Sequence, residues 1–440
     1  MPSLWRKWRG QIEPADVGGQ VVLIPADAAE NLLVSHWIPS GGATDGVPGT
    51  AHMLEHIIFE RCRAGRSMSP GGLVNAVTSN FWTRFDWRSA PGDIKPLLDG
   101  ASSVHDPLDV PPGLLERQRE IIVQEIRERF ALLPELQCLT EFDAELLRGT
   151  GLETFPTGSV DTVGQISAGD VATFHRLHYG RSSALTLIVG GPTASMAKHV
   201  ASQALPGSSL LAVDEAGQAD SLEMHVEDNS PSQTALTAKP ALTAKPLLTN
   251  KPPVKQTIVS DAVRRQRLFR RYVLAPAIGG LALPFTALLG AFLASRGRAS
   301  LLAALEKVGA DPAAVAVACQ LTPAGLTVAS IEAPIADGAD ADRIDDSVVS
   351  YFEKLSASGI APADLVRLKH RLAVEDEQLR PSQRAARLGE DAVFNGLQAA
   401  MARNAATATF EKSDFDAGLA SFTAPLRNGA LILRSKDASP

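Results

Sequence analysis

Short apolar runs alternate with longer segments of helical spacing along this chain. Residues 21–24, V-V-L-I, and 32–38, L-L-V-S-H-W-I, are β-rich and apolar, which predicts two strands. A glycine-containing loop over 39–48 leads into a helical segment at 49–60. Residues 73–87 read as two strands around a turn, 111–130 as a helix and 184–189 as a further strand. In the second half, 300–308 reads as a helix and 314–318 with 326–332 as paired strands. Two amphipathic helices follow at 341–357 and 361–380. Strand and helix alternate in both halves, which predicts two α/β or α+β domains. The halves look like distant copies, although no residue-level repeat is visible. A length of 440 residues also exceeds one typical core. The expected division is a first domain over 1–210, a connecting segment over 211–257 and a second domain over 258–440.

The connecting segment has its own character. T-A-L-T-A-K-P-A-L-T-A-K-P-L-L-T-N-K-P-P repeats a six-residue unit that ends at Pro240, Pro246 and Pro252. Proline at that frequency forbids a long helix or a central strand, so a spacer or long surface loop is expected. A second segment imitates a membrane span. Residues 272–295 carry no charge and are flanked by arginines on both sides. Pro276, Gly279, Gly280, Pro284 and Gly290 break it into a strand-like 272–278 and a helix-like 283–295, and the flanking charges show no asymmetry. A buried strand-turn-helix is expected, and no membrane.

Composition adds exclusions. Apolar residues make up 45% and charged residues 21%, an ordinary globular balance. The net charge of -7 is spread over interspersed acids and bases, which argues against nucleic acid. Cys62, Cys138 and Cys319 form no close pair and read as thiols in a reducing compartment. No apolar run follows the basic N-terminus, so the expected location is cytoplasmic.

The chemistry concentrates in G-T-A-H-M-L-E-H-I-I-F-E, residues 49–60. On a helix, His52 and His56 are one turn apart on one face and can direct two imidazoles at one ion. Glu55 borders that face. Hydrolytic zinc takes three protein ligands and leaves a position for water, and a neighbouring carboxylate can move protons. H-x-x-E-H is the inverted zincin order. Five residues alone match by chance, so an ordinary surface helix is the competing reading. His105, His175, His178 and His370 show no such pairing and are expected to be structural. A third ligand would come from Q-R-E-I-I-V-Q-E-I-R-E-R-F, residues 118–130, which offers Glu120, Glu125 and Glu128; helical periodicity does not choose among them.

With these segments in hand, the chain resembles the pitrilysin/insulysin-type inverzincin peptidases, the family that includes mitochondrial processing peptidase. The likeness runs through the histidine motif, G-G-L-V-N-A-V-T-S-N-F-W-T-R-F (71–85), R-E-I-I-V-Q-E-I-R and F-P-T-G-S-V-D-T-V (155–163). It closes the first domain with H-R-L-H-Y-G and A-L-T-L-I-V-G-G. The resemblance implies an α+β clam-shell half: two similar domains, each a mostly antiparallel sheet covered by helices. It implies a zinc-dependent endopeptidase with Zn2+ on His52, His56 and Glu125, and Glu55 as general base on a zinc-bound water. It also implies that Asn75 and Ala76 lie on an edge strand that pairs with an extended peptide substrate.

Two departures from the family stand out. A glutamate often stands seven residues before the third ligand, and here that position is Gln118. Members that act alone carry an Arg and a Tyr in the second half. Here Ser300 stands where the Arg is expected and Pro312 stands near the Tyr, while Tyr272 and Tyr351 are poorly placed substitutes. Loss of that oxyanion clamp with the zinc motif intact implies a heterodimer with a homologous non-zinc subunit that donates the pair. Leader-peptide processing is one use for such an enzyme. A non-catalytic binding or assembly subunit of the same fold is the alternative.

Overall fold

The computed structural model describes residues 20–26, 31–64, 72–91, 94–133, 136–190, 209–213, 219–220, 254–260, 267–322, 325–335, 339–423 and 429–435. The proline repeat and the N-terminal basic segment lie outside them. The chain opens with strands β1 (Gln20–Pro25) and β2 (Leu32–Ile38), then helix α1 (Thr50–Ala64), which carries the two histidines. Strands β3 (Leu73–Thr78) and β4 (Thr83–Ser89) follow. Next come helices α2 (Lys95–Ser103), α3 (Pro112–Leu132), α4 (Leu136–Leu146), α5 (Val160–Gln165) and α6 (Ala168–His178). Strands β5 (Leu185–Gly190), β6 (Ser209–Val213), β7 (Ala219–Asp220), β8 (Val254–Ser260) and β9 (Arg267–Pro276) lead to helices α7 (Ala282–Leu293) and α8 (Leu301–Glu306). The rest comprises β10 (Ala316–Thr322), β11 (Leu326–Ile335), helices α9 (Ala341–Ser358), α10 (Pro362–Glu377), α11 (Pro381–Asn395), α12 (Leu397–Thr409) and α13 (Lys412–Thr423), and β12 (Gly429–Ser435).

The strands form two sheets, in the orders β3-β4-β2-β5-β1-β6-β7 and β10-β11-β9-β12-β8. In the first, β1 runs parallel to β5 and β6 while the other pairs are antiparallel. In the second, only β12 with β8 is parallel. Two mostly antiparallel sheets with helices make this an α+β fold.

Two compact units contain these sheets, and each is discontinuous in sequence. One comprises Met1–Ile126, Thr154–Lys239 and Gln378–Ala402. The other comprises Arg127–Glu153, Pro240–Glu377 and Arg403–Pro440. This redraws the division expected at 210 and 258: residues 127–153 pack with the second sheet, and 378–402 pack with the first.

The exchange has a packing reason. β2 is buried along its whole length, so both faces of its sheet need cover. On one face Val22, Ile24, Leu33, Trp37, Leu187 and Val189 pack with Ala385, Ala392, Leu397 and Met401. Gly389 lets α11 approach closely, since a Cβ there would overlap the indole of Trp37. The second sheet is likewise covered twice. Phe269, Val273 and Ala275 of β9 pack with Phe285, Phe352 and Phe422, while Tyr272 and Leu274 turn to Phe142 and Leu146 of α4. Burial on both faces explains why β9 continues into an uncharged run that imitates a membrane span. The segment is a strand, a short 3-10 turn at Gly279–Leu281 and α7. Among the described residues no helix is long and apolar enough to cross a membrane.

Candidate metal centre

The metal-site geometry begins at the anchored start of α1. The Asp45 carboxylate accepts hydrogen bonds from the backbone N–H of Gly49 at 2.7 Å and of Ala51 at 2.8 Å. It thereby takes up donors that a helix N-terminus leaves unsatisfied. Burial pushes Asp45 up to about 7, against the pull of those backbone donors. Gly49 has a φ of 99°, and a Cβ there would lie 2.9 Å from the Thr157 carbonyl oxygen. Gly158 has a φ of 69° and packs in turn on the Pro48 carbonyl. The F-P-T-G-S-V-D-T-V segment thus interlocks with the turn before α1 and sets where the histidine helix begins.

From that start, His52 and His56 emerge one turn apart with ring centroids 4.6 Å from each other. Glu125 reaches them from α3, its Oε2 3.8 Å from His52 Nε2 and 3.7 Å from His56 Nε2. Donor atoms of the three side chains lie within 4.8 Å of one another. A tetrahedral zinc with bonds of about 2.0–2.2 Å needs donors roughly 3.3–3.6 Å apart, so a small closure of these side chains fits the ion. Two neutral imidazoles with one carboxylate are also the ligand chemistry zinc takes in hydrolytic sites. The histidine side chains are 11% and 15% exposed and that of Glu125 is 44% exposed, which leaves the site open on the carboxylate side. Among the described residues, Glu120 and Glu128 are not in this cluster.

Glu55 stands beside the three donors. It is buried, its Oε2 is 4.0 Å from His52 Nε2, and it accepts a hydrogen bond of 2.8 Å from the Thr78 hydroxyl. Burial raises its pKa above the ordinary carboxyl value, while His56 and Thr78 oppose the rise. A carboxylate lifted toward neutrality and held by the hydroxyl and backbone N–H of Thr78 is suited to exchange protons.

Gln118 is buried beneath His56. Its Oε1 is 3.2 Å from His56 Nδ1, and its Nε2 donates to Glu60 Oε2. Glu60 also accepts from Arg117 Nη2 at 2.6 Å. Gln118 therefore links His56 to a carboxylate, that of Glu60, through its amide.

β3 is an edge strand of the first sheet. Asn75 on it is exposed and Ala76 half-buried, while Thr78 at its end reaches Glu55. Sequence reasoning placed Asn75 and Ala76 on this edge and missed Thr78, Glu60 and Asp45. The T in G-G-L-V-N-A-V-T was visible, but nothing local pointed it at Glu55. His105 does not belong to the cluster: its Nε2 lies 2.9 Å from His36 Nε2 and its Nδ1 2.9 Å from the Tyr179 carbonyl oxygen. Cys62 is buried, Cys319 is half-buried, and neither is in a disulfide.

No family model matches the chain. It is 26% identical over 172 residues to a mitochondrial-processing peptidase subunit beta of Lentinula edodes, covering 37% of this chain and 37% of that protein. It is 26% identical over 183 residues to a zinc protease, PqqE, of Helicobacter pylori, covering 39% of this chain and 41% of that protein. The aligned stretches are thus about two fifths of each relative's length. Among solved structures, the chain superposes on a protease from Helicobacter pylori with a TM-score of 0.70 at 18% identity, covering 96% of this chain and 98% of that one. It superposes on a peptidase M16 inactive domain from Pseudomonas fluorescens with a TM-score of 0.68 at 15% identity, covering 98% of both chains.

Proposed function

We propose, from the premise that this chain is a relative of the pitrilysin-type M16 peptidases, that it is a zinc-dependent endopeptidase acting on short or unfolded peptides. The observation that carries the reading is the convergence of His52 Nε2, His56 Nε2 and Glu125 Oε2 beside a buried Glu55. Zinc bound there supplies a Lewis acid that polarises a peptide carbonyl and acidifies water. His52, His56 and Glu125 hold the ion. Glu55 takes the proton of the attacking water and passes it to the leaving amine, with Thr78 steering its carboxylate. The free edge of β3, with Asn75 and Ala76, binds an extended substrate through main-chain hydrogen bonds, which accept many sequences. Such an enzyme, placed in the cytoplasm, would serve clearance of peptides or leader-peptide processing.

We further propose that the chain works as the catalytic half of a heterodimer with a homologous non-zinc subunit. Ser300 is committed to capping α8, where its Oγ accepts from the Ala303 N–H at 3.1 Å. Tyr272 is buried against Phe142, and its hydroxyl lies 3.4 Å from Arg270 Nη1. Neither is free to clamp a substrate oxyanion. The competing reading, a non-catalytic subunit, draws on the related inactive domain, and the retained Glu55 argues against it.

Peptide cleavage by the zinc-loaded chain, alone and mixed with a homologous subunit carrying the Arg and Tyr, tests the proposal. Expected is chelator-sensitive cleavage that rises about 100-fold or more on mixing, the scale of one oxyanion donor. Full-rate cleavage by the chain alone contradicts the heterodimer. Absence of cleavage in the mixture contradicts the enzyme.

A further inference from the structure

His56 and Glu60 are four residues apart and share one face of α1. Gln118 of α3 spans them, with its carbonyl oxygen on His56 Nδ1 and its amide nitrogen on Glu60 Oε2. An ionised carboxylate only accepts, so Glu60 determines which end of the amide faces it. Oε1 then faces His56, and the proton between them belongs to His56 Nδ1. The lone pair is left on Nε2, the atom 3.7 Å from Glu125. Arg117 completes the arrangement by donating to the other oxygen of Glu60.

We propose that Gln118 and Glu60 form a positioning relay, in which a carboxylate one residue away holds the amide that holds His56 in its metal-binding tautomer. The relay rests on the zinc reading above. It also accounts for glutamine at this position. A glutamate at 118 would face Glu60 directly, carboxylate against half-buried carboxylate, and would leave Glu60 Oε2 without the amide donor it accepts from here. The pair therefore works as amide plus acid in either order, but not as acid plus acid.

The test uses the full chain and two readouts. Zinc affinity is measured by competition with a chromophoric chelator, and the His56 tautomer is read from imidazole nitrogen chemical shifts in the metal-free protein. Expected is zinc binding weakened about tenfold or more by Gln118→Ala and by Glu60→Ala, the scale for an outer partner of a metal-ligating histidine. In the Gln118→Ala background, Glu60→Ala should add nothing. Gln118→Glu should weaken zinc, and adding Glu60→Gln should restore it. Nitrogen shifts should show Nδ1–H in the parent chain and a tautomer mixture in Gln118→Ala. The relay is overturned if Glu60→Ala weakens zinc equally with and without Gln118, or if both single variants change only thermal stability. A parent chain that binds no zinc overturns the zinc reading itself and the relay with it.

Discussion

His36 Nε2 lies 2.9 Å from His105 Nε2 beneath the first sheet. The Tyr179 carbonyl oxygen only accepts, so His105 Nδ1, 2.9 Å from it, carries the proton. His105 Nε2 then accepts from His36 Nε2–H, and His36 Nδ1 accepts from the Thr186 hydroxyl at 2.9 Å. Both rings are neutral in this chain of bonds. Burial, first of all, holds His36 well below its ordinary value and lowers His105 to about 4. Asp106 and Arg181 face His105, and Arg181 also acts on His36.

A folded-state pKa below the unfolded value means the unfolded chain binds more protons between about pH 4 and 6.5, so this pair destabilises the fold as pH falls. Glutamine at 105 can donate to Tyr179 and accept from His36 without titrating. His105→Gln should therefore gain on the parent chain as pH drops from about 6.5 toward 4, by at most about 1.4 kcal/mol per pH unit. Urea unfolding of both proteins across this range checks it; parallel pH profiles would refute the lowered pKa of His105.

Glu125 is the acidic residue of α3 that reaches His52 and His56. Glu125→Gln should lower zinc content strongly, while Glu120→Gln and Glu128→Gln leave it near the parent value. Metal analysis after dialysis distinguishes the three.

Two glycines test the packing of the first unit. At Gly389 a Cβ meets the buried Trp37 indole, whereas at Gly164 nothing lies within 4 Å. Gly389→Ala should cost about 1–3 kcal/mol, overpacking outweighing alanine's better helix propensity of about 1 kcal/mol. Gly164→Ala, at an exposed position of α5, should be neutral or stabilising. Thermal unfolding of the pair shows a loss in Gly389→Ala alone if the contact is as described.

Arg271 and Asp345 form an ion pair buried inside the second unit. Asp345→Asn leaves a buried guanidinium without its counter-charge and should cost about 3 kcal/mol or more. Chemical denaturation followed through the second unit measures the loss.

Much of the site was legible because its parts are local. H-x-x-E-H lies within one helical turn, and the helical spacing of 111–130 announced α3. The choice of Glu125 came from resemblance, since spacing alone left three acids open. Thr78 and Glu60 were invisible because their roles depend on which segments meet, whereas Asp45 caps backbone N–H groups only four and six residues on and was overlooked. Thr78 reaches Glu55 across 23 residues and Gln118 reaches Glu60 across 58. The strands before α1 and the β9-to-α7 segment were readable from apolar runs and breakers. The exchange of 127–153 and 378–402 between units was not, because nothing in a helix's own pattern names the sheet it covers.

Glu55→Gln is the most direct test of how the site works. Zinc content and peptide cleavage are measured together on the parent chain and the variant, each mixed with the homologous subunit proposed above. One bound zinc in both proteins, with cleavage lost only in the variant, is the expected result. Loss of zinc from the variant, or cleavage unchanged by it, would contradict the role given to Glu55 beside His52, His56 and Glu125.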